Sequence, residues 1–417
     1  MIDKELKKLL DGEIDYQREI LDLIASENMA SEDTLSVLSS LLSNKYSEGY
    51  PGKRYYPGNK NADKVEELTK KRALKLFGVD KGAWRVNVQP YSGSPANLAV
   101  YLALVEPGGV VMGMRLADGG HLTHGHKVSA TGKIWKSVQF GVDKETGLIN
   151  YSEVAKLAKK HKPKLIISGF TAYPRKVDFK KFRAIADSVG AYHMADISHI
   201  AGLVAGNAHP SPFPWTDIVT TTTHKSLRGP RGAIIFSNGN SKIAKKNGVD
   251  LPLAIDKAVF PGLQGGPHNN VTAAKAQAFY EVLKPGFKTY AKQIVKNADT
   301  LAKRLKAKGV HLVSGGTDTH LILMDVKSFG IDGKEAEERL EKVNIIANRN
   351  SVPGDVSPFK PSGVRLGTPS LTSRGMKEKE MDIVAELIYK AISGEKGVKQ
   401  EVIKLCKKFP ARKFLGK

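Results

Sequence analysis

A single lysine lies at the centre of a loop that follows a run of four threonines, in the segment at residues 220–232. Threonine favours extended backbone and the Gly-Pro pair ends it, so the pattern predicts a strand, a loop with Lys225, and a second strand. The cations beside this lysine are His224, Arg228 and Arg231. Neighbouring cations disfavour protonation of an amine, so Lys225 could act as a nucleophile. A solvated basic turn or a phosphate-binding patch is the alternative.

Three further polar residues follow predicted apolar strands. Alternating helix and strand patterns from residue 151 onward predict a largely parallel sheet covered on both faces. The residues after its strands include Thr171, Asp196 and His199. Ligands bind at the carboxyl ends of such strands, so we expect these groups to converge with Lys225 on one pocket. A buried carboxylate needs a partner, so Asp196 either caps local structure or pairs with a ligand cation.

Two turns rich in small residues could bind an anion. Ser94 precedes Pro95, which predicts that Ser94 is the N-cap of a helix running to about Leu104. The free amides at such a helix start attract anions, although capping alone also explains the serine. The segment 260–267, rich in glycine and proline, allows a similarly close approach of backbone to an anion.

Three histidines, His121, His124 and His126, share one glycine-rich segment. They could bind a transition metal, but their spacing does not put all three on one helix face. An imidazole that stacks on an aromatic ligand is the competing interpretation, and we expect no metal site.

Two other segments could contact a ligand. Arg365 lies in an apolar strand, where it needs an anionic partner, either a structural acid or a substrate carboxylate. The segment 44–58 carries four tyrosines among glycines and prolines, so it is irregular backbone that displays phenols. It is either an aromatic surface loop or a wall of a ligand site or subunit contact.

Length and composition limit the remaining possibilities. The 417 residues are too many for one ordinary core. We expect an N-terminal helical segment at 1–52, a large domain at 53–285 and a small domain at 286–417. One cysteine excludes an internal disulfide framework. The net charge of +23 is scattered rather than clustered, so specific nucleic-acid binding is not expected. No apolar run has the length of a membrane span and no targeting segment is visible, which predicts a cytoplasmic protein.

These parts match the needs of one cofactor. Pyridoxal phosphate requires a lysine for its aldehyde, an acid for its pyridine nitrogen and a cradle for its phosphate. The chain resembles the serine hydroxymethyltransferase family, whose fold is the aspartate-aminotransferase-like α/β fold, or fold type I. The resemblance implies a large domain with a seven-stranded, mostly parallel sheet and a smaller C-terminal α/β domain. It covers essentially the whole chain and is carried by residues 26–28, 46–56, 92–97, 220–232, 262–267 and 364–369.

The resemblance also implies roles for individual residues. Lys225 would hold pyridoxal 5'-phosphate as a Schiff base, Asp196 would pair with the pyridinium nitrogen, and His121 would stack on the ring. His199 and Thr171 would contact the side of the phenolic oxygen. The residues around the phosphate would be Tyr46, Gly93, Ser94, His224 and Gly266, with Tyr46 and Gly266 from a partner subunit. The substrate residues would be Ser26, Glu48, Tyr56 and Arg365. The folate site would be lined by Leu116, Gly120, Leu122, Asn350, Ser357, Pro358 and Phe359.

The implied reaction transfers the hydroxymethyl group of L-serine to tetrahydrofolate, giving glycine and 5,10-methylenetetrahydrofolate. Arg365 and Ser26 would bind the serine carboxylate. Glu48 is the candidate proton-transfer group, with Tyr56 beside it from the neighbouring subunit. Shared active sites imply a homodimer, and a tetramer is possible. The alternatives are a folate-independent threonine aldolase on the same fold and a basic, nucleic-acid-binding relative.

Overall fold

The computed structural model describes residues 2–355 and 360–411, which form two compact units. The larger unit is Ala30–Ala291, and the smaller combines the described residues up to Met29 with those from Lys292 onward. These divisions differ from the boundaries at 52 and 285 that we expected from the sequence. After helix α1 (Lys4–Glu19), strand β1 (Leu21–Asp22) pairs in parallel with Ile345–Ile346, so the start of the chain completes the C-terminal unit.

The larger unit contains the predicted seven-stranded, mostly parallel α/β sheet, which agrees with fold type I. Its strand order is β4-β10-β9-β8-β7-β5-β6, and only β10 runs antiparallel to its neighbours. A short hairpin, β2 (Gly49–Tyr50) with β3 (Lys53–Arg54), precedes it. The sheet strands are β4 (Trp84–Asn87), β5 (Val110–Met114), β6 (Lys136–Phe140), β7 (Leu165–Gly169), β8 (Tyr192–Asp196), β9 (Ile218–Thr222) and β10 (Ala233–Asn238).

Helices cover this sheet, and local sequence signals set their ends. Helix α7 begins after Asp178, whose carboxylate accepts from the Lys181 amide, and ends at Gly190 in the left-handed conformation. Every residue of β7 and β9 is buried, as expected for parallel strands covered on both faces. The helices of this unit are α2 (Glu32–Leu38), α3 (Lys60–Leu76), α4 (Gly93–Leu104), α5 (Ala130–Ile134), α6 (Tyr151–His161), α7 (Phe179–Val189), α8 (Ala201–Ala205), α9 (Lys242–Lys246), α10 (Leu251–Lys257) and α11 (Asn269–Val282).

The smaller unit is built on a four-stranded antiparallel sheet of order β11-β12-β15-β14. Leu21, Leu23 and Leu366 lie in its apolar core, so residues near both ends of the chain stabilise it. Its strands are β11 (His311–Leu312), β12 (Leu321–Asp325), β13 (Ile345–Ile346), β14 (Asn348–Asn350) and β15 (Gly363–Gly367). The remaining helices are α12 (Gly286–Ala307), which starts in the larger unit, α13 (Gly333–Lys342), α14 (Pro369–Ser373), α15 (Glu378–Ser393) and α16 (Val398–Lys408).

None of the helices in the described ranges combines the length and apolar character needed to cross a lipid bilayer.

Candidate active site

A cavity of about 140 Å³ opens where the parallel strands of the larger unit end. Eight of the predicted cofactor residues line it, contributed by the end of β8, by the segments after β5, β7, β8 and β9, and by the start of α4. This convergence is what the positions of the polar residues after apolar strands predicted. The lining residues are Ser92, Gly93, Ser94, Asn97, His121, Phe170, Thr171, Asp196, Ser198, His199, Thr222, His224, Lys225 and Arg231.

The loop with Lys225 lies between β9 and β10, as predicted. Thr223 closes its two ends: the Thr223 amide donates to the Gly232 carbonyl at 3.0 Å and the hydroxyl to the Pro230 carbonyl at 2.6 Å. The Lys225 Nζ donates to Thr222 Oγ1 at 3.1 Å. The lysine amine is therefore held by a loop with short internal hydrogen bonds, at the carboxyl end of a fully buried strand.

Asp196 is buried at the end of β8 and is held by several donors. Its Oδ2 lies 3.0 Å from His124 Nε2 and 2.9 Å from Asn97 Nδ2, and its Oδ1 accepts from the Ser198 hydroxyl at 2.6 Å. Burial raises the pKa of this carboxyl, but the hydrogen bond and charge of His124, with smaller contributions from His121 and Ser198, outweigh it. The pKa of Asp196 is consequently well below its usual range, and the group is a permanent anion that can pair with a cationic ring nitrogen.

His121 lies at the start of a short turn whose geometry separates it from His124. Its Nδ1 is 2.7 Å from Thr123 Oγ1, while His124 points to Asp196 instead. Thr171 lies beside the same turn, because its amide donates to the Gly119 carbonyl at 2.8 Å and its hydroxyl to the Gly120 carbonyl at 2.9 Å. Within the described residues, no group of three or more histidine, cysteine or acidic side chains could hold a metal ion.

The start of α4 corrects one prediction. Ser92, with extended backbone, is the N-cap and Gly93 is the first helical residue, so Ser94 is not the N-cap. Gly93 packs closely against the end of β9, since a Cβ there would come within 2.9 Å of Thr222 Cγ2. Two amides at this helix start are not available to a ligand. The Ala96 amide donates to the Ser92 carbonyl, and Pro95 has no N–H.

His224 supplies an observation that favours an anion in this cavity. Its Nδ1 is buried and has no hydrogen-bond partner among the described residues. Burial lowers the pKa of His224 to about 3, and the charges of Lys225 and Arg231 add to the shift. A buried polar atom without a partner is costly, so a phosphate oxygen at this position would satisfy the imidazole. The residues present therefore fit pyridoxal phosphate.

Four predicted site residues, Tyr46, Glu48, Tyr56 and Gly266, form a second cluster in the same unit. The Tyr46 and Tyr56 rings lie 5.0 Å apart, and a Cβ on Gly266 would come within 3.4 Å of the Tyr46 ring. Glu48 lies beside them, because a Cβ on Gly265 would come within 3.1 Å of its Oε1. None of these residues lines the cavity around Lys225.

Three other predicted residues belong to the smaller unit. Arg365 is in β15, where its Nε donates to Asn348 Oδ1 at 3.1 Å, and burial lowers its pKa to about 10. Ser26 follows a segment that contacts the same strand, since the Gly367 amide donates to the Leu23 carbonyl at 2.8 Å. Asn350 ends β14.

The predicted folate residues are only partly described. Leu116 is partly buried and Leu122 is exposed, near Gly120, which packs so closely that a Cβ would meet the Met114 carbonyl oxygen at 2.0 Å. The predicted residues Ser357, Pro358 and Phe359 lie outside the described ranges.

Several residues at the cavity were not predicted. Asn97 and His124 hold Asp196, and Thr222 accepts from Lys225. Their residue types could have suggested polar roles, since a buried asparagine in an apolar helix and a threonine at a strand end need partners. The partners themselves depend on folding, because 99 residues separate Asn97 from Asp196.

Comparison with known proteins finds relatives of one family along almost the whole chain. The sequence profile of the serine hydroxymethyltransferase family matches residues 1–388. A serine hydroxymethyltransferase of Francisella tularensis subsp. novicida (strain U112) is 50% identical over 418 residues, covering 99% of this chain and 97% of that protein. The serine hydroxymethyltransferase of Francisella tularensis subsp. tularensis (strain WY96-3418) has the same identity and coverage. The chain is therefore a member of the serine hydroxymethyltransferase family.

Proposed function

We propose that this protein catalyses the pyridoxal-phosphate-dependent, reversible transfer of the hydroxymethyl group of L-serine to tetrahydrofolate. The products are glycine and 5,10-methylenetetrahydrofolate. The observation that supports this most directly is the cavity in which Lys225, Asp196 and His224 meet, in a chain of this family. A cytoplasmic location stays a prediction from the sequence.

The residues proposed to hold the cofactor each supply a different group. Lys225 would bind the cofactor aldehyde, and Asp196 would hold the pyridine nitrogen protonated, since its own pKa is strongly lowered. His121 would pack against the ring, with Thr171 and His199 near its phenolic oxygen. The amides of Gly93 and Ser94 and the imidazole of His224 would bind the phosphate. Bound pyridoxal phosphate supplies an electron sink for the bond that breaks at the serine Cα.

Substrate residues would orient serine and move its proton. We propose that Arg365, assisted by Ser26, binds the carboxylate of serine. Glu48 would accept the proton of the serine hydroxyl as the Cα–Cβ bond breaks, with Tyr56 beside it. Leu116, Gly120, Leu122 and Asn350 are proposed to contact tetrahydrofolate.

We also propose a homodimer in which each cavity is completed by the second cluster of the partner, Tyr46, Glu48, Tyr56 and Gly266. Tyr46 is 57% exposed and Tyr56 is 45% exposed within the single chain. Exposed tyrosines next to glycine-rich backbone are typical of subunit contacts, where both the ring and the hydroxyl find partners. Pairing of dimers into tetramers stays a prediction.

The function is tested with purified protein, serine and tetrahydrofolate. We expect an absorbance band near 420 nm in the wild type that is absent in Lys225→Ala, and glycine formation from serine that depends on added tetrahydrofolate. Lys242→Ala, which changes a lysine of helix α9, is the control and should keep both properties. No band after addition of the cofactor would contradict the enzyme assignment. Turnover that is indifferent to tetrahydrofolate would indicate a folate-independent aldolase instead.

A further inference from the structure

Arg54 lies beneath the loop that carries the second cluster, and only 4% of its side chain is exposed. Its Nη1 donates to the carbonyl of Ser47 at 2.9 Å and to the carbonyl of Gly49 at 2.8 Å. These two carbonyls belong to the residues immediately before and after Glu48. One guanidinium nitrogen therefore holds the backbone on both sides of the proposed proton-transfer residue.

Two carboxylates of helix α3 fix the other edges of this guanidinium. The Arg54 Nε donates to Asp63 Oδ1 at 2.8 Å, and its Nη2 donates to Glu66 Oε2 at 2.7 Å. Asp63 also accepts from the Gly52 amide at 3.0 Å. Asp63 and Glu66 are three residues apart, so they share one face of the helix. The buried positive charge is thus paired, and its planar shape is used on three edges.

Asn59, the residue immediately before α3, holds both ends of the loop. The Asn59 Nδ2 donates to the Tyr46 carbonyl at 3.2 Å and to the Tyr56 carbonyl at 2.9 Å. Gln89 adds a donor to the Gly49 carbonyl at 3.0 Å. Side chains of the helix and of Arg54 therefore fix the loop backbone at its start, at its centre and at its end.

We propose that Arg54 is the positioning residue that sets Glu48 and its neighbouring tyrosines in the geometry needed for proton transfer. The inference rests on the proposed function. A lysine at this position would keep the positive charge, but its single ammonium cannot reach carboxylates and carbonyls on three edges at once. Because Arg54 contacts this loop through the backbone carbonyls of Ser47 and Gly49, it acts on the direction of the Glu48 side chain and touches neither substrate nor cofactor.

The test compares Arg54→Lys with Arg72→Lys in the holoenzyme. Arg72 is on helix α3, which also carries Asp63 and Glu66, and it is partly buried, with Nη1 donating to the Ala276 carbonyl at 2.7 Å. It lies 13 residues beyond Asn59, about 20 Å along the helix axis. For each variant the measurements are kcat, the KM for serine, the absorbance of bound cofactor and the urea midpoint.

We expect Arg54→Lys to lower kcat on the order of 100-fold, the loss typical of a displacement of about 1 Å in a reacting group. The cofactor absorbance and the KM for serine should change little, because the cavity around Lys225 is untouched. Arg72→Lys should keep kcat within about twofold of the wild-type value, even if its urea midpoint falls as much as that of Arg54→Lys. An arginine with only a structural role would not lower kcat while leaving cofactor loading unchanged.

A kcat of Arg54→Lys close to that of the wild type, or an equal loss in Arg72→Lys, would overturn the inference. If Arg54→Lys does not fold, Asn59→Asp takes its place, because it keeps the size of the side chain but removes the donor to the Tyr46 and Tyr56 carbonyls. A lower kcat with normal cofactor absorbance in that variant supports the inference, and an unchanged kcat overturns it. Inactivity of the wild type with serine and tetrahydrofolate would instead refute the proposed function.

Discussion

The buried lysine of helix α11 gives the most quantitative prediction. Lys275 is 1% exposed, and its Nζ donates to the carbonyls of Val88 at 2.7 Å, Ala233 at 3.0 Å and Pro90 at 3.3 Å. Pro90 leads into the start of α4, and Ala233 follows the loop of Lys225. One ammonium therefore ties together the two chain segments that bind the proposed cofactor from either side.

The substitution Lys275→Met keeps an unbranched side chain that is one atom shorter, and it removes all of the donors. Pro90 O retains a donor, the Ala233 amide at 3.2 Å. The carbonyls of Val88 and Ala233 each lose the Lys275 donor, at a cost of about 1–3 kcal/mol per buried group. Part of that loss is offset because methionine spares the cost of burying a charge. We expect a net loss of about 3 kcal/mol in the free energy of unfolding.

The dependence on pH provides a second check. Burial lowers the pKa of Lys275 to about 7, against the opposing charge of Glu66, whereas in the unfolded chain it stays near 10.5. Between these values the unfolded state binds more protons than the folded state, so this lysine makes the wild type more stable as the pH rises. The methionine variant lacks that contribution. The difference in stability between the two proteins should therefore be larger at pH 9 than at pH 6.

Urea unfolding of both proteins at the two pH values measures these differences. Lys284→Met, which changes an exposed lysine just beyond the end of this helix, is the control and should lie within about 0.5 kcal/mol of the wild type. A methionine variant as stable as the wild type at pH 9 would refute the reasoning. It would mean that the free-energy cost of burying the Lys275 amine equals the stabilisation from its hydrogen bonds.

Two further predictions concern groups whose pKa values are shifted by burial, and a third concerns the start of α4. Burial, with the charge of Glu27, raises the pKa of Asp22 to about 7. The folded state then holds a proton that the unfolded state has released between about pH 4 and 7, so stability falls across this range. Asp22→Asn should be more stable than the wild type at pH 8 but not at pH 4, as measured by urea midpoints. His224→Ala should weaken cofactor binding roughly tenfold or more in a fluorescence titration, because a hydrogen bond to a charged group is lost. An unchanged dissociation constant would contradict the phosphate role. Gly93→Ala should also weaken cofactor binding, since its Cβ would force Thr222 away from a 2.9 Å contact.

The parts of the site that were predictable are those marked by side-chain type at a strand end. Asp196 ends a buried strand, Lys225 and Thr171 each follow one, and parallel strands bring such positions to one edge of the sheet. The sequence predicted a helix start after Tyr91 but placed its N-cap at Ser94 instead of Ser92. Ser92 is the N-cap, and Gly93 packs against Thr222, a residue that is distant in the sequence.

The different roles of His121 and His124 could not be predicted from their spacing in the sequence. His121 and His124 are three residues apart in a segment that resembles a metal-binding cluster, yet they point to different partners. The left-handed Gly119 and the short turn at Leu122–His124 separate their rings, and Asp196 comes from a strand 72 residues further along. Only the fold shows that one of them lines the cavity and the other holds the acid.

Buried charges whose partners are backbone carbonyls leave the weakest trace in a sequence. Arg54 and Lys275 look like surface cations, because nothing in the neighbouring residue types distinguishes them from the many lysines and arginines behind the net charge of +23. Their hydrogen bonds to carbonyls appear only when distant segments come together. Such residues fix backbone rather than substrate, so they change the rate or the stability without changing the inventory of catalytic groups. The predictions for Arg54 and Lys275 therefore test buried cations that fix the backbone around the site, which a comparison of motifs does not identify.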